Sequence, residues 1–215
     1  MSAMTTAIIG VGNLGGTVAR HLVNGGETVV LAAKDESRAE ALANELGPPA
    51  RAASVPDAID AADTVVLAVW LDPLKDVLAE YSQRLDGKVV IDPTNPIGFE
   101  NGQMFRTLPD GQTASSVVAD LLPAGAHYVK AFGSLGAVQL ADIANREPRV
   151  VLFYATDDGN AEATARRLIQ TAGFEPVDVG GLAAVGRMEG PSGDLQGQVL
   201  DLDGARTALA TEVKA

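Results

Sequence analysis

Ala7-Ile8-Ile9-Gly10-Val11-Gly12-Asn13-Leu14-Gly15 opens the chain with a short apolar run that ends in a glycine-rich turn. Behind it Leu14, Val18 and Leu22 recur every four residues, the spacing of one helix face. A strand, a tight turn and a helix are therefore predicted in immediate succession. In that setting the three glycines serve different ends. Gly10 permits the turn, Gly12 lets backbone N–H groups approach a pyrophosphate, and Gly15 lets helix and strand pack closely. The helix N-terminus adds about half a positive charge toward a bound anion. A Gly-x-Gly-x-x-Gly string also serves plain helix packing, but its place between a strand and a helix, ahead of a second strand, favours dinucleotide binding.

The alternation continues outward. Asn24-Gly25-Gly26 stops the first helix, Thr28 to Ala32 is a β-branched strand, and a helix from Ser37 to Leu46 is closed by Gly47-Pro48-Pro49. A weak strand near Arg51 to Ala53 and a short helix from Val55 to Ala61 precede Thr64 to Val69, the clearest strand in the chain. Pro73 to Arg84 is predicted as helix and Lys88 to Ile91 as strand. From Asp92 to Gln112, prolines, glycines and asparagines predict a loop of about 20 residues, a length usually tied to function in a compact domain. Ser115 to Leu122 (helix), Tyr128 to Ala131 (strand), Arg149 to Tyr154 (strand), Ala161 to Ala172 (helix) and Pro176 to Val179 (strand) follow. Beyond Gly180-Gly181 only a short helix near Leu182 to Met188 and a weakly patterned acidic tail are expected. Strand–helix alternation implies parallel pairing with helices on both faces. The expected fold is α/β, a doubly wound and mostly parallel sheet of the Rossmann dinucleotide-binding type. Residues 1–155 would form the nucleotide domain, and 156–215 a small C-terminal appendage packed on it.

Composition narrows the chemistry. The 215 residues are 47% hydrophobic but only 4% aromatic, so the core must be built from Ala, Val, Leu and Ile, as helices on a buried parallel sheet require. The net charge of −12 is interrupted by no basic cluster, so neither a nucleic-acid nor an anionic-membrane partner is expected. An anionic ligand must then be held by backbone dipoles and one or two placed cations. With no cysteine and two histidines, disulfides, thiol nucleophiles, Cys-ligated metals and three-His sites are excluded, and no metal site is expected. No apolar run approaches the ~20 residues of a membrane span. Together with an N-terminus unlike a signal peptide, this predicts a cytoplasmic protein.

The residues after the second strand choose the dinucleotide. They read Ala32-Ala33-Lys34-Asp35-Glu36-Ser37-Arg38, with no carboxylate at the strand end itself. Lys34 and Arg38, one turn apart, would grip the extra phosphate of NADP, with Asp35 as helix cap; the rival reading puts Asp35 on the ribose of NAD. Few other side chains stand out. Lys130 is expected as a surface lysine beside Tyr128, with donation to an acceptor carbonyl as the alternative. Ser134 is either a turn serine or a partner of the nicotinamide carboxamide. His21 reads as structural or exposed, and His127 as a loop residue. Trp70 either packs or forms a ring-stacking wall.

With these motifs in hand, the chain resembles the family of NADPH-dependent coenzyme F-420 (F420) reductases, to which the reductase domain of STEAP metalloreductases is related. The resemblance rests on Ile8 to Gly15, Asp92-Pro93-Thr94-Asn95-Pro96, Val129-Lys130-Ala131-Phe132, and Asp178 to Leu182 with Arg187-Met188-Glu189. It implies pyrophosphate contacts from Val11, Gly12, Asn13 and Leu14 and 2′-phosphate contacts from Lys34 and Arg38. Val69 and Trp70 would wall the adenosine or nicotinamide side, and Asn95 and Leu135 would lie near the nicotinamide. It also implies a homodimer. Ala32-Ala33 replaces the family's Ser-Arg, Gly133 its more usual Asn, and Gly190-Pro191-Ser192-Gly193 departs from its deazaflavin segment.

The expected activity is hydride transfer between NADP(H) and a flat acceptor such as F420 or a flavin, in which the cofactor carries the reactivity. A reductase of small imine, keto or hydroxy acids is the alternative, less favoured because only about 60 residues follow Tyr154. An NADP-binding sensor or scaffold without turnover is the third reading.

Overall fold

Thr5–Ile9 (β1) lies inside an eight-stranded sheet of the computed structural model, which describes residues 4–211. Around it run Asn13–Asn24 (α1), Thr28–Ala32 (β2), Glu36–Leu46 (α2), Ala50–Ala52 (β3), Val55–Asp60 (α3), Thr64–Leu67 (β4), Leu71–Tyr81 (α4) and Val89–Asp92 (β5). Next come Ile97–Glu100 (β6), Gln103–Arg106 (β7), Ala114–Leu121 (α5), His127–Ala131 (β8) and Ala137–Ile143 (α6). Val151–Ala155 (β9), Gly159–Thr171 (α7), Glu175–Asp178 (β10) and Leu202–Ala210 (α8) follow. The sheet order is β10-β9-β8-β5-β4-β1-β2-β3. Every pairing in it is parallel except β8 with β9, where Lys130 faces Ala155. The chain adopts the expected doubly wound, mostly parallel α/β fold.

Strand side chains alternate between the two faces, which is why both faces are apolar. Ile8, Val29, Leu31 and Val66 enter one core with α1, α2, α6 and α7; Ala7, Ile9, Val30, Val65 and Leu67 enter the other with α3, α4 and α5. A third cluster joins Val151, Phe153 and Ala155 of β9 to Val179, Val185, Met188, Leu195 and Ala205. The segment after Gly180-Gly181 thus has its own apolar seam, and the weakly patterned tail forms α8. Arg187 fixes that helix by donating to the Ala208 and Leu209 carbonyls while paired with Asp194.

The stretch from Asp92 to Gln112 is no plain loop. Ile97–Glu100 and Gln103–Arg106 form an antiparallel hairpin of their own, joined through Asn101 and Gly102, both at positive φ. That is the geometry of the two-residue turn an Asn-Gly pair favours.

Candidate functional site

The glycine turn is shaped as its spacing predicts. Gly10 has φ 99°, and a Cβ there would strike the Ala68 carbonyl just past the end of β4. At Gly15 a Cβ would strike the Gly10 carbonyl, so turn and helix start are pressed together. Gly12 is different: it is exposed, and an added Cβ would meet nothing within 4 Å. As N-cap of α1 it supplies no side chain to the first turn, so no side-chain cap competes with an anion for the helix dipole. The turn opens onto a cleft of about 490 Å³, within the range of cofactor sites. Its lining joins Val11, Gly12, Asn13, Thr17 and Arg20 to Arg38 of α2 and to Ala137, Val138 and Ala141 of α6. The bare helix start, the open space at Gly12 and the two arginines fit a dinucleotide phosphate group.

Other expected contacts are placed differently. Ala32 is fully buried and its carbonyl accepts from Gly10 N, so it shapes the turn and does not offer a side chain to a ligand. Ala33 is half-buried. Lys34 is exposed but, unlike Arg38, is not among the residues lining the cleft. Val69 and Trp70 follow β4 at the carboxyl edge. Trp70 is not packed away: it is 59% exposed and stands edge-on to Phe99 of the hairpin, centroids 6.2 Å apart. Phe99 and Met104 are paired across the hairpin, so they share one face. Both are exposed, and sequence reading misses both.

Asn95 is a bridge. Its Nδ2 donates to Gly133 O at 2.9 Å and its Oδ1 accepts from Gly190 N at 2.7 Å, tying the segment after β5 to the turn after β8 and to the C-terminal segment. Gly133 is required there, because a Cβ would press on the Pro93 carbonyl at 2.5 Å. Leu135 and Ser134 are buried in that turn, and the Ser134 hydroxyl has no partner among the described residues. His21 is structural, its Nε2 within 2.9 Å of Leu140 O, which joins α1 to α6. His127 is the first residue of β8, not a loop residue. At 2.6 Å from Asp158 it holds that carboxyl below its ordinary pKa by hydrogen bonding.

Lys130 is the largest departure from expectation, since its side chain is 1% exposed. Register places it opposite Asp92, whose Oδ2 is 3.0 Å from Nζ; Glu189 Oε1 lies at 3.1 Å and Thr94 Oγ1 at 3.4 Å. The ammonium donates to Asp92 and Thr94 and is ion-paired with Glu189 as well, so it is committed to this buried cluster. Tyr128 OH donates to Asp92 Oδ2 at 2.7 Å and shares a hydrogen bond with Ser115 Oγ at 2.9 Å. Burial, followed by the Asp92 charge, raises the Tyr128 pKa well above its ordinary value, so this phenol stays protonated. Glu189 caps α5 from 74 and 75 residues away, accepting from Ser115 N and Ala114 N. Two buried carboxylates are thus balanced by one ammonium and one helix N-terminus. Beside Glu189 lies a second cleft of about 280 Å³, lined by Arg106, Asp110, Gly111, Thr113, Gly186 and Ser192. Among the described residues no His, Cys, Asp and Glu group could hold a metal ion.

Residues 5–96, the part that carries the glycine turn, match the family described as NADP oxidoreductase, coenzyme F420-dependent. A hypothetical protein from Sinorhizobium meliloti of known crystal structure is 30% identical, with a TM-score of 0.83, over 93% of this chain and 96% of that one. Over residues 5–96 the chain belongs to the coenzyme F420-dependent NADP oxidoreductase family. The F420-dependent NADP reductase of Methanothermobacter marburgensis is 28% identical over 83% of this chain and 85% of its own. Rat metalloreductase STEAP3 is 27% identical over 87% of this chain, which spans about a third of that protein, 36%. A reductive aminase from Aspergillus terreus, solved with NADPH, shares the fold at 21% identity and a TM-score of 0.63, covering 91% of this chain and 59% of that one. As a family member the chain is an NADP-dependent oxidoreductase. No helix among the described residues is long and apolar enough to cross a membrane.

Proposed function

We propose that this reductase moves a hydride between NADP(H) and a flat ring acceptor of the deazaflavin or flavin class. The cofactor supplies the hydride chemistry; this chain binds and aligns. Val11, Gly12, Asn13 and Leu14 would hold the pyrophosphate at the start of α1, and Arg38 the 2′-phosphate. Val69, Trp70, Asn95 and Leu135 would border the nicotinamide end, where β4 and β5 end at the carboxyl edge, the general binding edge of open α/β sheets. Ala131-Phe132 and the Asn95 bridge would form the floor beneath it.

The observation that carries the acceptor class is the exposed Trp70–Phe99 pair. Of one Trp and five Phe, three are exposed, Trp70, Phe99 and Phe105, and the first two meet edge-on after the end of β4. Aromatic faces and edges in that position suit a fused planar ring. Lys130, Asp92 and Glu189 are consumed by one another and offer no free general acid, which favours an acceptor whose ring nitrogen takes its proton from water.

Following NADPH oxidation with F420, FMN, a ferric chelate, and panels of imines and keto acids tests this reading. Turnover with F420 or FMN is expected. Turnover confined to imines or keto acids would replace it with the small-substrate reading, and tight NADPH binding with no turnover would make the protein a sensor. Homodimerisation and a cytoplasmic location belong to the same proposal, the first checked by light scattering at micromolar concentration.

A further inference from the structure

Resting on the NADP reading above, we propose that Arg20 of α1 is a specificity-determining residue, forming with Arg38 a two-guanidinium site for the 2′-phosphomonoester of the cofactor. Both arginines line the cleft that contains Gly12 and Asn13, whereas Lys34 does not. They approach from different helices, and Thr17 adds a hydroxyl on the α1 side. The end of β2 offers only Ala32-Ala33, with no polar side chain to hold a phosphate. A phosphomonoester carries a charge of about −1.5 to −2 at neutral pH and needs more than one cation in a protein of net charge −12.

The Arg20 guanidinium is already oriented. Glu45 of α2 takes two of its nitrogens, Nε at 3.0 Å and NH2 at 2.9 Å, and leaves NH1. NH1 lies over Gly16, where a Cβ would come within 3.1 Å of it. Gly16 lies outside the Gly10-Gly12-Gly15 string, and the space it leaves is occupied by this guanidinium. The bidentate pair with Glu45 sets the plane of the fork and leaves NH1 without a side-chain partner, available for planar recognition of phosphate. Arg38 makes no side-chain hydrogen bond or ion pair among the described residues, so its whole guanidinium is available. The pair explains how a chain without a polar strand end still selects the phosphorylated dinucleotide.

Isothermal titration of NADPH and NADH against wild type, Arg20→Met, Arg38→Met and Lys34→Met decides the matter. A charge-assisted contact of this kind corresponds to roughly a ten-fold or larger loss of affinity. Arg20→Met and Arg38→Met are each expected to weaken NADPH by that factor and to leave NADH within about two-fold, and Lys34→Met to leave both within about two-fold. If Arg20→Met weakens both nucleotides equally with the fold intact by circular dichroism, the residue touches the pyrophosphate and the inference is overturned; it is equally overturned if neither changes. Arg20→Gln, which removes the charge but keeps a polar side chain, serves if Arg20→Met unfolds. A wild-type protein that binds neither nucleotide would instead remove the NADP reading itself.

Discussion

At the scale of single residues, Lys130 holds the interior together at the carboxyl edge. Its charge is balanced by Asp92 and Glu189, and removing it leaves two buried carboxylates facing each other. Lys130→Met is therefore expected to cost about 3 to 5 kcal/mol, measured by urea unfolding. Glu189→Gln should cost less, because an amide oxygen can still accept from one of the two α5 N–H groups while its NH2 opposes the other. Tyr128 gives this cluster a pH dependence. Its folded-state pKa lies above the unfolded value, so the native state retains a proton that the unfolded state releases. Its contribution is fully present below about pH 10 and is lost as pH rises beyond that, through the higher folded-state pKa. Alkaline unfolding monitored by circular dichroism should show that decline, and Tyr128→Phe should flatten it. A variant that keeps the same alkaline slope would dissociate the decline from this phenol.

At the scale of elements, the hairpin of β6 and β7 is the piece that would face the proposed acceptor. Phe99→Ala should raise the acceptor KM about ten-fold while leaving the NADPH KM within about two-fold, whereas Trp70→Leu, at the nicotinamide end, should raise both. A matching rise in the NADPH KM of Phe99→Ala would place that ring on the cofactor instead. The hairpin does leave a trace in the sequence: Asn101-Gly102 between Phe99 and Met104 is a hairpin signal, masked by the prolines and glycines around it. The parallel strands β1, β2, β4 and β5 are legible because each is an apolar run buried on both faces. Helix α6 is not, since seven residues starting after Gly136 carry barely two turns of periodicity. The buried state of Lys130 is hidden for a different reason. Its partners Asp92 and Glu189 are far off along the chain, and nothing local distinguishes an ion-paired lysine from a surface one. Arg20 is equally silent, because the cleft it faces exists only once α1, α2 and α6 are assembled.

At the scale of the whole molecule, the two ends of the sheet's sequence are interdependent. Glu27, just after α1, is 6% exposed and receives Thr6 Oγ1 at 2.7 Å and Arg167 of α7 at 2.5 and 3.2 Å. Arg167→Met should lower the thermal midpoint by several degrees, and the double variant Arg167→Met/Glu27→Gln should recover part of that loss, since the buried charge goes with its partner. At Gly25 a Cβ would strike the Thr171 carbonyl at the end of α7, so the turn closing α1 is moulded against a helix synthesised much later. A ribosome delivers the glycine turn long before Thr171 is added to enclose the rear of α1. For most of that interval the nascent chain carries that turn on an open core, and that is when a chaperone, or the proposed nucleotide, has most to stabilise.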